Sequence, residues 1–185
     1  MKYEKILYFF MLFLLTTSLF AENLNGIFGI PFGVTRSFTK NQMKEKGWSL
    51  SEEKPDSLVF QKAFGTYANI ITNNIEITFF QDKLYEVKVT FGFAATDDEV
   101  FEAFNILKKH YNLVYMSQDE INFDDGETYE INFYDAEVNR FQVRQMFIDS
   151  CPISFKQFVM TSHAVNAEKR KLEEKEKKKD TLSDL

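Results

Sequence analysis

The sequence predicts an α+β protein in which one curved, continuous antiparallel sheet carries two helices on the same face. Three observations lead there. Tyr85, Val87, Val89, Phe91 and Phe93 alternate with Glu86, Lys88, Thr90 and Gly92, the two-residue period of a strand with one apolar and one polar side. Thr96-Asp97-Asp98-Glu99 forms a capping box ahead of Val100, Phe101, Phe104, Leu107 and Tyr111, whose spacing marks a buried helical stripe. Finally, the two halves overlay. Ile75-Glu76-Ile77-Thr78-Phe79-Phe80 matches Tyr129-Glu130-Ile131-Asn132-Phe133-Tyr134, and Tyr85-Glu86-Val87-Lys88-Val89 matches Phe141-Gln142-Val143-Arg144-Gln145. Each block follows a capped helix, so the repeated unit is a helix and then a meander, at about 29–93 and 94–161.

Taken in order, residues 1–21 read as an export signal, with Lys2 and Lys5, an uncharged run from Ile6 to Phe20, and Ala21 at the cut. The run is too short to span a membrane comfortably, so cleavage near Ala21 is expected to leave an exported protein, periplasmic or secreted, with no integral span. Residues 22–163 then form a single domain. Gly29-Ile30-Pro31-Phe32-Gly33 lacks the Gly-Lys-Ser/Thr ending of a phosphate loop and the third glycine of a dinucleotide fingerprint. It reads instead as a turn that delivers Thr35 as the N-cap of a helix over 36–46, with Phe38 and Met43 as its apolar face and Gly47 as its stop.

Strands are expected at 58–64, 67–72, 75–80 and 84–93, with Gln81-Asp82-Lys83 as a hairpin connection. A second set is expected at 121–123, 129–134, 140–148 and 154–161, with Asp124-Asp125-Gly126 as a turn. Beyond 163 the chain is almost wholly charged, and 164–185 is expected to be a solvated helix or a disordered tail.

The formal charge is −6, and with one net positive charge removed at each end, residues 22–167 carry −8. An acidic body argues against nucleic acid, which is bound through Lys and Arg on phosphates. The single cysteine, Cys151, cannot form an internal disulfide. It reads as a small buried hydrophobe, with a reactive thiol or an intermolecular bridge as alternatives. His110 and His163 sit on different elements with no clustered cysteine, and no nucleophile elbow is present, so neither a metal, a cofactor nor an enzyme activity is expected.

The polar phase of the strands carries Glu76, Thr78, Glu86, Lys88, Glu130, Asn132, Gln142 and Arg144, together with Phe80, Tyr134, Met146 and Ile148. Large apolar groups on a solvent face suggest a contact patch, although loops or strand ends could bury them instead. Gly33-Val34-Thr35 leading into a helix and meander, behind an export signal, resembles the BamE (SmpA/OmlA) and beta-lactamase-inhibitor-protein types of small envelope domain. The tandem arrangement is most similar to the inhibitor protein, and the resemblance implies a concave sheet that binds a partner protein. The chain departs from both types, lacking the lipidated cysteine of the first and the disulfides of the second.

The expected function is therefore non-catalytic recognition of another envelope protein through the exposed sheet face, with Phe80, Tyr134, Arg144 and Met146 as contacts. The alternative is carriage of a small apolar ligand or lipid in a cavity between helices and sheet.

Overall fold

A computed structural model describes residues 23–92, 94–123, 126–148 and 151–183, with side chains except at 120–123, 126–127, 147–148, 151–155 and 179–183. The expected export segment, Phe93, Asp124, Asp125 and the side chains of Ile148 and Cys151 lie outside the described residues.

The described chain begins with a tight reversal in which Ile27 and Ile30 exchange backbone hydrogen bonds of 3.1 and 2.8 Å. Gly26 permits it: its φ is +99°, and a Cβ there would lie 2.0 Å from the carbonyl oxygen of Ile30. The Gly29–Gly33 stretch then docks on the strand that begins at Lys83. Gly33 N–H donates to Leu84 O (2.8 Å), and Leu84 N–H returns a bond to Val34 O (2.9 Å). Thr35 Oγ1 accepts from Phe38 N–H at 3.3 Å, capping α1 (Arg36–Glu45). The two glycines thus turn the chain and aim a helix.

On α1 the buried positions are Thr39 and Met43, and Phe38 is 46 % exposed, so the expected apolar pair is only half right. Gly47 closes the helix at φ +78°, with Trp48 N–H reaching back to Met43 O at 2.9 Å. The first meander follows as β1 (Ser49–Glu53), β2 (Ser57–Gln61), the short β3 (Thr66–Tyr67), β4 (Ile70–Phe80) and β5 (Lys83–Phe91). Gln81 and Asp82, with φ of 49° and 62°, form the two-residue hairpin between β4 and β5. Helix α2 (Asp97–His110) carries both halves of the capping box, and the second meander comprises β6 (Val114–Phe123), β7 (Gly126–Tyr134), β8 (Arg140–Ile148) and β9 (Cys151–Thr161).

The strands join into one sheet in the order β1-β2-β4-β5-β9-β8-β7-β6, with β3 paired to β4 and every pairing antiparallel. Each helix-plus-meander unit supplies half, and the halves meet at their last strands, β5 against β9. The sequence overlay is displaced by one strand: it sets β4 on β7, whereas counting outward from the junction sets β4 opposite β8.

Helices α1 and α2 contribute to a single apolar cluster built on one face of the sheet, with Met43 from the first and Val100, Ala103 and Phe104 from the second. Its floor is two registered rows, Leu58-Ile77-Val87-Met160-Phe141-Phe133 and Phe60-Ile75-Val89-Phe158. Aromatic contacts run through it from Trp48 to Phe28 (5.7 Å), Tyr67 (5.7 Å), Phe158 (6.5 Å), Phe141 (5.1 Å) and Phe104 (6.1 Å). Each such side chain, once buried, contributes on the order of 2 kcal/mol, so the units are held together by a shared core as well as by the β5–β9 ladder.

The charged end forms α3 (His163–Ser183). Its start is anchored: Ser162 N–H donates to Tyr85 O (2.7 Å), Val165 is buried, Glu168 pairs with Lys83 (2.9 Å), and Lys169 Nζ reaches Tyr85 Oη (3.1 Å). Among the described residues, no helix is long and apolar enough to cross a membrane.

Candidate functional site

Two surfaces have the makings of a site: the sheet face opposite the apolar cluster, and a cleft beside α2. The first holds all four expected contacts. Phe80 ends β4 opposite Lys83, Tyr134 faces Arg140, Arg144 faces Gln157, and Met146 faces Phe155. Each is half-buried, and the structure does not gather them into one patch. Two strands separate β4 from β8, roughly 14 Å across the sheet at the usual strand spacing, and Phe80 lies at the hairpin end of β4, six residues along from the Asn74 that shares Arg144's row, so it is farther still from the β8 pair.

Between them lies a polar network. The alternation in β5 suggested a wet side to the sheet, yet the middle of this face is buried: Gln142 and Val159 are each 1 % exposed, and Glu130, Asn132, Thr161 and Gln157 are buried too. Val59, Glu76, Lys88, Val159, Gln142, Asn132 and Ser117 form one registered row across seven strands. Gln142 Nε2 donates to Glu130 Oε2 (2.6 Å) and Asn132 Oδ1 (3.0 Å), and Asn132 Nδ2 donates to Asp119 Oδ2 (2.9 Å). Arg144 Nη2 pairs with Glu130 Oε1 at 2.7 Å and also donates to Gln142 Oε1 at 3.0 Å.

Farther along, Glu76 bonds Lys88 (3.1 Å) and Lys54 (3.4 Å). Burial pushes its carboxyl up, but the hydrogen bond and charge of Lys88, with the charge of Lys54, outweigh that and hold it below the usual carboxylate range. Most polar capacity on this face is therefore spent internally. Among the described residues, two buried atoms are exceptions: Arg144 Nε and Gln157 Oε1, a donor and an acceptor on directly paired residues, have no hydrogen-bond partner.

The second surface arises because α2 covers the sheet incompletely. The row Phe60-Ile75-Val89-Phe158 continues into Val143 and Ile131, which are only partly buried. Above them, Phe104 packs on Phe133 with ring centroids 4.5 Å apart, but Phe101, one helical turn earlier, is 64 % exposed. The space left between α2 and β6–β8 is a cleft of about 630 Å³, lined by Val100, Phe101, Phe104, Ile131, Phe133 and Val143.

The cleft's polar groups are Asp97, Asp98, Lys108, Arg144, Gln145 and Lys156, of which Arg144 is paired with Glu130 (2.7 Å). Near the start of α2, Lys156 Nζ is held by Ala95 O (3.0 Å) and Asp97 Oδ1 (3.0 Å). At the other end, Lys108 Nζ lies over the rings of Phe133 (5.4 Å) and Phe104 (6.0 Å). Sequence reasoning raised a cavity between helices and sheet as the alternative site, but did not assign Lys108 or Lys156 to it. The available signal was Phe101, which widens the α2 stripe beyond what one packed face can bury. The exposed Tyr115 of β6 continues this apolar flank, whereas Val114 and Met116 line a separate pocket with Tyr134.

No protein-family model matches the chain, and no curated protein or solved structure matches it either.

Proposed function

We propose that this chain is an exported, non-catalytic binding protein that holds an apolar ligand in the cleft between α2 and strands β6–β8. The observation that carries the reading is a cleft of about 630 Å³ with a largely aromatic and aliphatic lining, beside a phenylalanine-rich core. That volume falls within the roughly 300–1,000 Å³ of small-molecule sites, and an apolar lining with a few polar groups is their usual chemistry. The test is calorimetric titration of the full chain without its signal with dodecanol, an uncharged single-chain probe. Val143→Trp should fill the cleft and abolish the heat of binding at an unchanged Tm. Equal binding by this variant would move the ligand elsewhere.

A second reading, recognition of another envelope protein through the polar sheet face, is favoured by Tyr134, Arg144 and Met146, which lie on that face and stay only half-buried. Under it, Tyr134→Ala with Met146→Ala abolishes co-purification of a partner polypeptide from the native envelope and leaves Tm unchanged. A fall in Tm would make both residues structural.

A further inference from the structure

We infer that the cleft selects a single-chain amphiphile with an anionic head, seated so that the head lies at Lys108 and the tail runs along α2 toward Phe101 and Val100. The inference rests on the cleft being the binding site, and adds to it the class and orientation of the occupant. Charge is distributed unevenly along the cleft wall. Helix α2 opens with Asp97, Asp98 and Glu99 and closes with Lys108, Lys109 and His110. The helix's own side-chain charges therefore disfavour an anion at one end and favour it at the other, and the twelve residues from Asp97 to Lys108 span roughly 16 Å of helix, a length suited to one extended chain.

The two lysines of the cleft are not equivalent. Lys156 is bonded to Asp97 and to a backbone carbonyl. Lys108 makes no salt bridge among the described residues, and its ammonium lies over two aromatic faces that also line the cleft. A carboxylate or sulfate head placed there gains a charge-assisted hydrogen bond while its first methylenes meet Phe104 and Phe133. The acidic start of the helix meets only the tail.

The experiment compares three probes of one chain length, dodecanoate, dodecanol and dodecyltrimethylammonium, each titrated below its micellar concentration into the full chain without its signal. Dodecanoate should bind about tenfold more tightly than dodecanol, and Lys108→Met should erase that preference. Lys108→Met keeps the aliphatic stem, and its Tm reports whether folding is intact. Equal affinity for dodecanoate and dodecanol in the wild type, or a preference for the cationic probe, would overturn the head-group assignment and leave the cleft reading standing. If none of the three binds, the cleft reading fails and this inference fails with it. A Lys108→Met protein that keeps the full dodecanoate preference would also overturn the assignment.

Discussion

Arg144 and Glu130 are direct partners in the β7–β8 register, and the guanidinium Nη2 lies 2.7 Å from Glu130 Oε1. Glu130 is buried and also accepts from Gln142, so the carboxylate is satisfied only while both neighbours remain. Arg144→Ala removes the cation and leaves a buried charge with one neutral donor. Such a loss costs about 3 kcal/mol, and removing the charge as well should recover most of it. Urea unfolding of Arg144→Ala and of Arg144→Ala with Glu130→Gln checks this. If the single variant is as stable as the wild type, Arg144 is free for a partner, as the sheet-face reading requires.

The pairing of Glu76 with Lys88 and Lys54 predicts the sign of a pH dependence on that face. Its folded-state carboxyl is held below the usual range, because Lys88 and Lys54 together outweigh the effect of burial. A depressed pKa contributes stability that is fully present above the unfolded-chain value of about 4.3 and is lost as pH falls through the folded-state value. Wild type should therefore exceed Glu76→Gln in unfolding midpoint at neutral pH, and the gap should close in acid. A gap that persists below the folded-state pKa would assign the difference to the Ser57 and lysine hydrogen bonds rather than to charge.

Helix α2 and strand β5 were legible in the sequence because capping and alternation are local properties, written in residues a few positions apart. Strand β1 was not. Ser49-Leu50-Ser51-Glu52-Glu53 is exposed throughout and has a single apolar residue, so it reads as a loop and becomes a strand only by pairing with β2. The first half of β6 was hidden by a bulge at Met116, which breaks the two-residue period between Tyr115 and Ser117. Phe80, Tyr134, Arg144 and Met146 could be assigned to the polar face by phase alone. Phase, however, says nothing about curvature or about which side chains bond one another, and so the burial of Gln142 and Glu130 was invisible. The cleft depends on how far α2 reaches across β7 and β8, a tertiary distance with only Phe101 as its trace.

Tyr67 tests how strictly the shared core demands polar satisfaction. Burial pushes its phenol above the ordinary value, and the hydroxyl has Met160 Sδ, a weak acceptor, at 3.5 Å. Removing a hydroxyl so poorly bonded should be nearly neutral, so Tyr67→Phe is expected to keep its unfolding free energy to within about 0.5 kcal/mol. A loss of about 1.5 kcal/mol or more would mean that the thioether contact does as much as an ordinary hydrogen bond.

Thr96 links the stability of α2 to the shape of the cleft. Its hydroxyl accepts from Glu99 N–H (3.3 Å), while the Glu99 carboxylate accepts from Thr96 N–H (2.8 Å); that backbone bond, followed by the hydroxyl, holds the Glu99 carboxyl below its usual range. Thr96→Ala leaves the first-turn donors open to water and should lower stability by about 1 kcal/mol. The first turn also carries Asp97, the partner of Lys156, so fraying there loosens the tail end of the cleft and leaves Lys108 in place. Hydrogen exchange should quicken at residues 97–100 before it does at 104–108. With dodecanoate as probe, affinity should fall while the preference over dodecanol is retained. If the preference were lost together with the affinity, the head would lie at the Lys156 end and the orientation along α2 would be reversed.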